Sequence, residues 1–317
     1  MNNRICLIVC WYGKLPYYYK LWEKSCSYNE NIDFLVFTDQ DYSSKYKNII
    51  FHKKSLSEME KLFSKKLKME VHIESGYKFC DLRPSFGIVF DDYVKKYDFW
   101  GHCDLDQIFG DTSKFLTDSI LSKYDKINKN GHFVLYRNID KMNHLFQQDG
   151  AVFSYKEVFS SKNNYAFDEY TGINKIVEKN NIKVYQINDF SDIDVKHKRF
   201  INCNMNNYKK QFYVFVDGKL YMYYINNKIN KIELMYLHFQ KKKPLIEVEE
   251  LNKFMISSKG FTKYHIISKE SFDLLNKYPG FIYETFETIK YYILKILNFF
   301  KCNREQKKIW INQKRKR

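Results

Sequence analysis

The chain has 317 residues, 44% of them hydrophobic and only four of them proline, which suits one large globular domain with an appendage. Its net charge is +16, yet no helix-turn-helix, zinc-finger spacing or RNP pattern accompanies that charge. Nucleic acid is therefore set aside in favour of an anionic nucleotide or an anionic membrane surface. The seven cysteines (Cys6, Cys10, Cys26, Cys80, Cys103, Cys203, Cys302) are scattered and never form C-x-x-C, which argues against a disulfide framework or zinc site and for a reducing cytoplasm.

Ile5 to Cys10 is a continuous apolar run, the mark of a strand buried on both faces of a parallel sheet. With its flanks it is too short for a signal-peptide core, and no 18-residue uncharged apolar run occurs, so neither a secretion signal nor a membrane-spanning helix is expected. Trp11 and Tyr12 follow at the carboxyl end of this strand, where open α/β sheets bind ligands, and could stack on a base. Pro16 to Cys26 is predicted helical, Ile32 to Phe37 a second buried strand, and Ile49 to His52 a third. Leu56 to Gly76 reads as a helix with lysines outside and an apolar stripe of Met59, Leu62, Phe63, Leu67 and Val71. Phe86 to Tyr93 is apolar at helical spacing. The acidic pair Asp91-Asp92 within it reads as solvated surface.

Tyr97 to His102 is a short buried strand ending in a glycine turn, and it delivers Asp104-Leu105-Asp106, a D-x-D triplet. A carboxylate pair just past a strand end suits Mg²⁺ or Mn²⁺, which take hard oxygen ligands and share them with phosphates. Phe109-Gly110-Asp111 reads as the closing turn, Leu116 to Tyr124 as a helix and His132 to Tyr136 as a strand. Gly150 separates the polar loop Gln147–Asp149 from an expected strand start at Ala151–Phe153. Asp217-Gly218, between two alternating aromatic runs, is a two-residue hairpin signal. Leu234 to Phe239 is a final strand. Beyond Pro244, Ile282, Phe286, Ile289, Ile293, Ile296 and Phe300 step by four and three, a helical apolar stripe. From Lys301 to Arg317 there are eight Lys/Arg against one Glu, so +7 of the +16 lies in this tail. A stripe followed by a basic cluster suits docking at an anionic inner membrane; the competing reading is a helix packed on the main domain plus a disordered tail.

The stretch Tyr77–Asp111 supports a family resemblance. Lys78, Asp81, Arg83 and Pro84, then an apolar run, Trp100-Gly101 and Asp104-Leu105-Asp106, resembles the donor-binding core of GT-A glycosyltransferases. It is most similar to bacterial enzymes of capsule and lipopolysaccharide synthesis, with a hallmark like DLRPxFG…DFWGxxDxDxxFGD. The resemblance is strongest over these 35 residues and runs more loosely to about residue 245. It implies an α/β, Rossmann-like GT-A domain with a mostly parallel central sheet over residues 1–245, and a helical, basic appendage over 246–317. It implies transfer of a sugar from a nucleotide-sugar, a UDP-sugar by preference, to a glycan or lipid-linked acceptor. It also implies Mn²⁺ (or Mg²⁺) at Asp104 and Asp106.

Further site residues follow from the same resemblance. Thr38 and Asp39, ending the second strand, border the nucleotide; Lys78, Asp81 and Arg83 serve the donor, with a structural salt bridge between Asp81 and Arg83 as the bland alternative. Asp168 and Glu169 match by position the acidic pair that contacts the acceptor or the donor sugar. An inverting enzyme needs such a carboxylate base; a helix-start pair is the alternative. The segment His238-Phe239-Gln240-Lys241-Lys242-Lys243-Pro244 is similar to the His-x-x-Gly-x-x-Lys-Pro closing loop of glycogenin-like and galactosyltransferase enzymes, where the histidine is the third metal ligand and the lysine meets the diphosphate. Here the loop is one residue shorter and lacks the glycine, which leaves Lys241, Lys242 and Lys243 all open for that role. The loop leans towards retention of configuration. The rival expectation is a non-catalytic membrane-surface or glycan-binding protein on a decayed GT-A fold.

Overall fold

The structure, a computed structural model, describes residues 3–276 and 281–315, and their side chains except those of 281–283 and 313–315. The side chains of Ile282 in the apolar stripe and of Lys314 and Arg315 in the basic cluster, and the whole of Lys316 and Arg317, therefore lie outside what is described.

The amino-terminal half runs β1 (Ile5–Cys10), α1 (Tyr19–Ser27), β2 (Ile32–Thr38), β3 (Ile49–Lys53) and α2 (Leu56–Leu67). β1 and β2 are largely apolar because both of their faces are covered; Leu7, Phe34 and Val36 are fully buried, whereas the edge strand β3 buries only Ile49. Helix α2 starts on a capping box at Ser55 and Glu58 and stops at Lys68, which takes a left-handed conformation, well short of the expected Gly76. The chain then makes short helical turns, among them α3 (Phe79–Leu82), α4 (Phe86–Val89) and α5 (Asp91–Val94). The helix expected over Phe86–Tyr93 breaks at Phe90, whose ring is drawn into the core against Phe37 at 4.4 Å. Asp91 and Asp92 are solvated, as expected, and both pair with Lys66.

Next come β4 (Phe99–Cys103), β5 (Gln107–Phe109), α6 (Asp118–Lys123), β6 (Lys126–Ile127), β7 (Phe133–Arg137), α7 (Asp140–Asn143), α8 (Tyr155–Ser160), α9 (Ile173–Lys179), β8 (Val184–Tyr185) and β9 (Phe190–Asp192). No strand forms at Ala151–Phe153; that segment is irregular and leads into α8, which Ser154 caps. β5 was not expected, because a three-residue strand carries no periodicity of its own.

Three sheets are built from the described residues. The first has the order β3-β2-β1-β4-β7-β6-β8. In it β3, β2, β1 and β4 are mutually parallel, β7 is antiparallel to both neighbours, and β6 pairs in parallel with β8. The second joins β10 (Gln211–Val216), β11 (Lys219–Asn226) and β12 (Lys228–Leu234) to β14 (Leu245–Glu247), β15 (Lys253–Ser257) and β16 (Gly260–Lys263). Asp217 and Gly218 both have positive φ and turn β10 into β11, as the Asp-Gly signal predicts. The third is β5 with β13 (Tyr236–His238) and β9. The strand expected over Leu234–Phe239 is thus split at Met235, and the chain passes there from the second sheet to the third. The molecule is mixed α/β.

Residues 246–263 are not helical. They supply strands to the second sheet, so the boundary expected at 245 falls inside a continuous element. Helices follow only from α10 (Lys269–Leu275), with α11 (Phe281–Lys301) and α12 (Arg304–Arg315).

Candidate functional site

The D-x-D triplet lies just past β4. Leu105 is buried in the core while Asp104 and Asp106 beside it stay partly exposed, and the Asp104 N–H donates to the His132 carbonyl at 3.1 Å. The chain then enters β5, whose antiparallel pairing with β13 sets His238 opposite Gln107. Main-chain pairing thereby brings the imidazole to the triplet across a long stretch of sequence. Its Nε2 lies 3.3 Å from Asp106 Oδ1 and 3.9 Å from Asp104 Oδ2. On its other edge β13 runs parallel to β9, with His238 opposite Asp192. His238 Nδ1 is 2.8 Å from Asp192 Oδ1, and the Gln240 amide donates to the same oxygen at 2.8 Å.

Three carboxylates thus surround one imidazole. Burial alone would lower its pKa, but the hydrogen bond and charge of Asp106, followed by Asp192 and Asp104, push it up to about 10. The ligand atoms of Asp104, Asp106 and His238 all lie within 4.8 Å of one another. Two carboxylates and an imidazole, with the far imidazole nitrogen held by a carboxylate, form a donor set that fits a divalent cation. His132, Asp192 and His238 make a second such group, with the two imidazole rings 4.4 Å apart.

Arg83 joins this set to the acidic pair. Its guanidinium contacts Asp104, lies 3.0 Å from Asp168 Oδ2 and donates to the Gly131 carbonyl at 2.9 Å. Glu169 Oε1 accepts the Gly131 N–H at 2.5 Å. A Cβ on residue 131 would come within 2.9 Å of both Asp168 Oδ2 and Glu169 Cγ, so a side chain there would push these carboxylates aside. Burial drives the Asp168 carboxyl well above the usual range although Arg83 opposes it; burial likewise raises Glu169 and Asp104.

Trp11, Tyr12, Thr38 and Asp39 gather at the carboxyl ends of β1 and β2. Asp39 is exposed, and its Oδ1 accepts the Gly13 N–H at 2.9 Å, tying one strand end to the other. The Gln40 amide and then that N–H hold its carboxyl below the usual range. Trp11 is half-buried, with its indole N–H on the Lys14 carbonyl. Tyr12 stacks on Phe79 at 5.2 Å and is committed to packing, and Thr38 is fully buried.

Lys78 and Asp81 are not brought to this cleft. Each side chain is 1% exposed and they pair at 3.0 Å. The ammonium also donates to the carbonyls of Val158 and Asn163, and the carboxylate accepts the N–H groups of Tyr165 and Phe167. All their polar reach is spent inside the protein, which corrects the expectation that they hold the donor. Asp81 pairs with Lys78, not with Arg83 as the structural alternative had it. Of the three loop lysines, Lys242 is tied to the carbonyls of Val195 and His197, whereas Lys241 and Lys243 are exposed.

Sequence reasoning missed Asp192, Gln240, His132 and Gly131. The available signal was the run Asp189-Phe190-Ser191-Asp192-Ile193-Asp194, in which acids alternate with core residues. The partner of Asp192 is set only by strand pairing.

No curated protein and no solved structure matches the chain. A family profile matches residues 7–265, which take in all of the site residues above. The chain belongs to that family, DUF6625, a family of unknown function.

Proposed function

We propose that this protein is a metal-dependent glycosyltransferase of GT-A type that moves a sugar from a nucleotide-sugar, preferably a UDP-sugar, to a glycan or lipid-linked acceptor in bacterial surface polysaccharide synthesis. The observation that carries this reading is the convergence of Asp104, Asp106 and His238 just past β4, with ligand atoms within 4.8 Å. The sheet order supports it: β1 is followed on one side by β2 and on the other by β4, and in such sheets ligands bind outside the carboxyl ends at that switch point. Asp104, Asp106 and His238 would hold Mn²⁺ in preference to Mg²⁺, since an imidazole suits Mn²⁺ better. The ion, when bound, supplies Lewis-acid stabilisation of the departing diphosphate.

The chain's own residues provide the rest. Trp11 and Asp39 border the base and ribose at the ends of β1 and β2. Lys241 and Lys243 supply mobile positive charge to the diphosphate, which Lys242, already committed, does not. Arg83 fixes Asp104 and Asp168 together, so that the metal edge and the acceptor edge keep one geometry. Asp168 is held by Arg83, and Glu169 by the Gly131 N–H. Neither is free to swing to an acceptor hydroxyl as a base, which favours retention of configuration over inversion.

The test is thermal unfolding with and without UDP and MnCl₂. Wild-type protein should gain stability from the pair together, and Asp104→Asn and Asp106→Asn should lose that gain. A gain of wild-type size in both variants would remove the reading. Proton NMR of the early product separates retention from inversion.

A further inference from the structure

The carboxyl-terminal helices divide the two expectations for this region between them. α12 packs on the domain: Ile309 is buried in the core cluster that holds Trp100 and Phe167, and Gln306 exchanges hydrogen bonds with the main chain of Asn164 at 2.9 and 3.1 Å. α11 does not pack in this way. Phe286, Ile289, Ile293, Ile296, Leu297 and Phe300 lie along it at spacings of one, three and four and are all about half exposed or more, Phe300 to 67%. No helix of the described residues is long and apolar enough to cross a membrane.

α11 is nevertheless fixed at both ends. Near its start Glu284 accepts the N–H groups of Lys198 and Arg199 at 3.1 Å each. Just past its end Asn303 donates to Asn163 at 3.2 Å. The first anchor lies on the loop that follows Asp192 and that Lys242 also holds; the second lies on the loop leading to Asp168. A helix of 21 residues spans about 31 Å at the usual rise, so it forms a strut between two segments that carry site residues.

We propose that α11 lies in the plane of an anionic lipid bilayer and docks the protein there, its exposed apolar row entering the acyl boundary. An apolar row of this length left in water is unfavourable, and two features select a lipid surface as what covers it. Arg304 and Lys308 are exposed on the adjoining α12, within a tail of eight Lys/Arg against one Glu, which complements anionic headgroups. Trp310 stacks on Phe299 at 5.8 Å where the two helices meet, and an indole is favoured at a membrane interface. The inference does not depend on the transferase reading.

The experiment is sedimentation of the full chain with vesicles of phosphatidylcholine mixed with phosphatidylglycerol, and with vesicles of phosphatidylcholine alone. Wild type should bind the mixed vesicles more tightly. Ile293→Glu combined with Leu297→Glu should weaken binding to both at least about tenfold, because two exposed apolar anchors are lost. Arg304→Glu combined with Lys308→Glu should weaken only the mixed-vesicle binding, and added salt should mimic it. Circular dichroism and the Mn²⁺·UDP stabilisation should be unchanged in the variants, which separates failure of docking from failure of the donor site. Absence of wild-type binding to mixed vesicles, or wild-type binding by the Ile293/Leu297 variant, overturns the proposal. So does a wild-type dimer in sedimentation velocity that this variant dissociates, since a second copy would then cover the row.

Discussion

Two ion pairs begin five residues apart in sequence and behave as opposites. Lys78 and Asp81 are sealed, with each side chain 1% exposed and every strong hydrogen-bonding direction met by main chain. Arg83 and Asp104 are open, at 14% and 29%, and their remaining valences point towards His238, Asp106 and Asp168. A sealed pair can only hold structure together. An open one can exchange a partner for a ligand. The succession of short helical turns over residues 76–85 makes the difference, because it turns Lys78 and Asp81 inward and leaves Arg83 facing the D-x-D loop.

Breaking the sealed pair should give the largest effect. Asp81→Ala leaves a buried ammonium and two N–H groups without their acceptor and should cost about 3–5 kcal/mol in urea unfolding. The Mn²⁺·UDP increment should survive in whatever fraction stays folded. Asp104→Asn reverses that pattern: it removes one of several carboxylates crowded together, so the ligand-free stability should change by about 1 kcal/mol or less. The ligand increment, about 2.7 kcal/mol at a hundredfold excess over Kd, should vanish. Equal losses of ligand response in the two variants would erase the distinction.

Asp192→Asn sharpens the comparison within the open site. It leaves all three proposed ligands in place but releases the far side of His238, so Mn²⁺ affinity by calorimetry should fall roughly 10–100-fold with little change in Tm.

The smallest step, taken per pH unit, is graded with pH. The imidazolium of His238, with its pKa at about 10, must give up its proton before Nε2 can bind a metal ion. Mn²⁺ affinity should therefore climb with pH by up to about tenfold per unit below that value, and calorimetry in buffers of different ionisation enthalpy should show one proton released. For the metal-free protein the sign is opposite. A raised folded pKa gives stability that is complete below the ordinary histidine value near 6.5 and is lost as pH rises towards 10. His238→Ala should flatten both dependences.

Local chemistry in the sequence determined a good deal of this molecule. Ile5–Cys10 had to be a buried strand, because nothing polar interrupts it, and Ile32–Phe37 is apolar apart from Asp33. Asp217-Gly218 had to be a tight hairpin, because few other pairs tolerate two positive φ values. Asp104 and Asp106 stood out as paired carboxylates at a strand end, whereas the histidine and lysines before Pro244 stood out only by their resemblance to a closing loop. The tertiary structure alone decided what those residues do together. The pairing of β13 with β5 and β9 places His238 between Asp106 and Asp192. The approach of the Gly131 loop carries Asp168 and Glu169 to Arg83, and the folding of residues 76–94 closes Lys78 and Asp81 away. The physical reason is the same in each case: strand register and side-chain burial are set by the whole packed sheet, and a three-residue strand or a buried charge has no periodic signature to announce it.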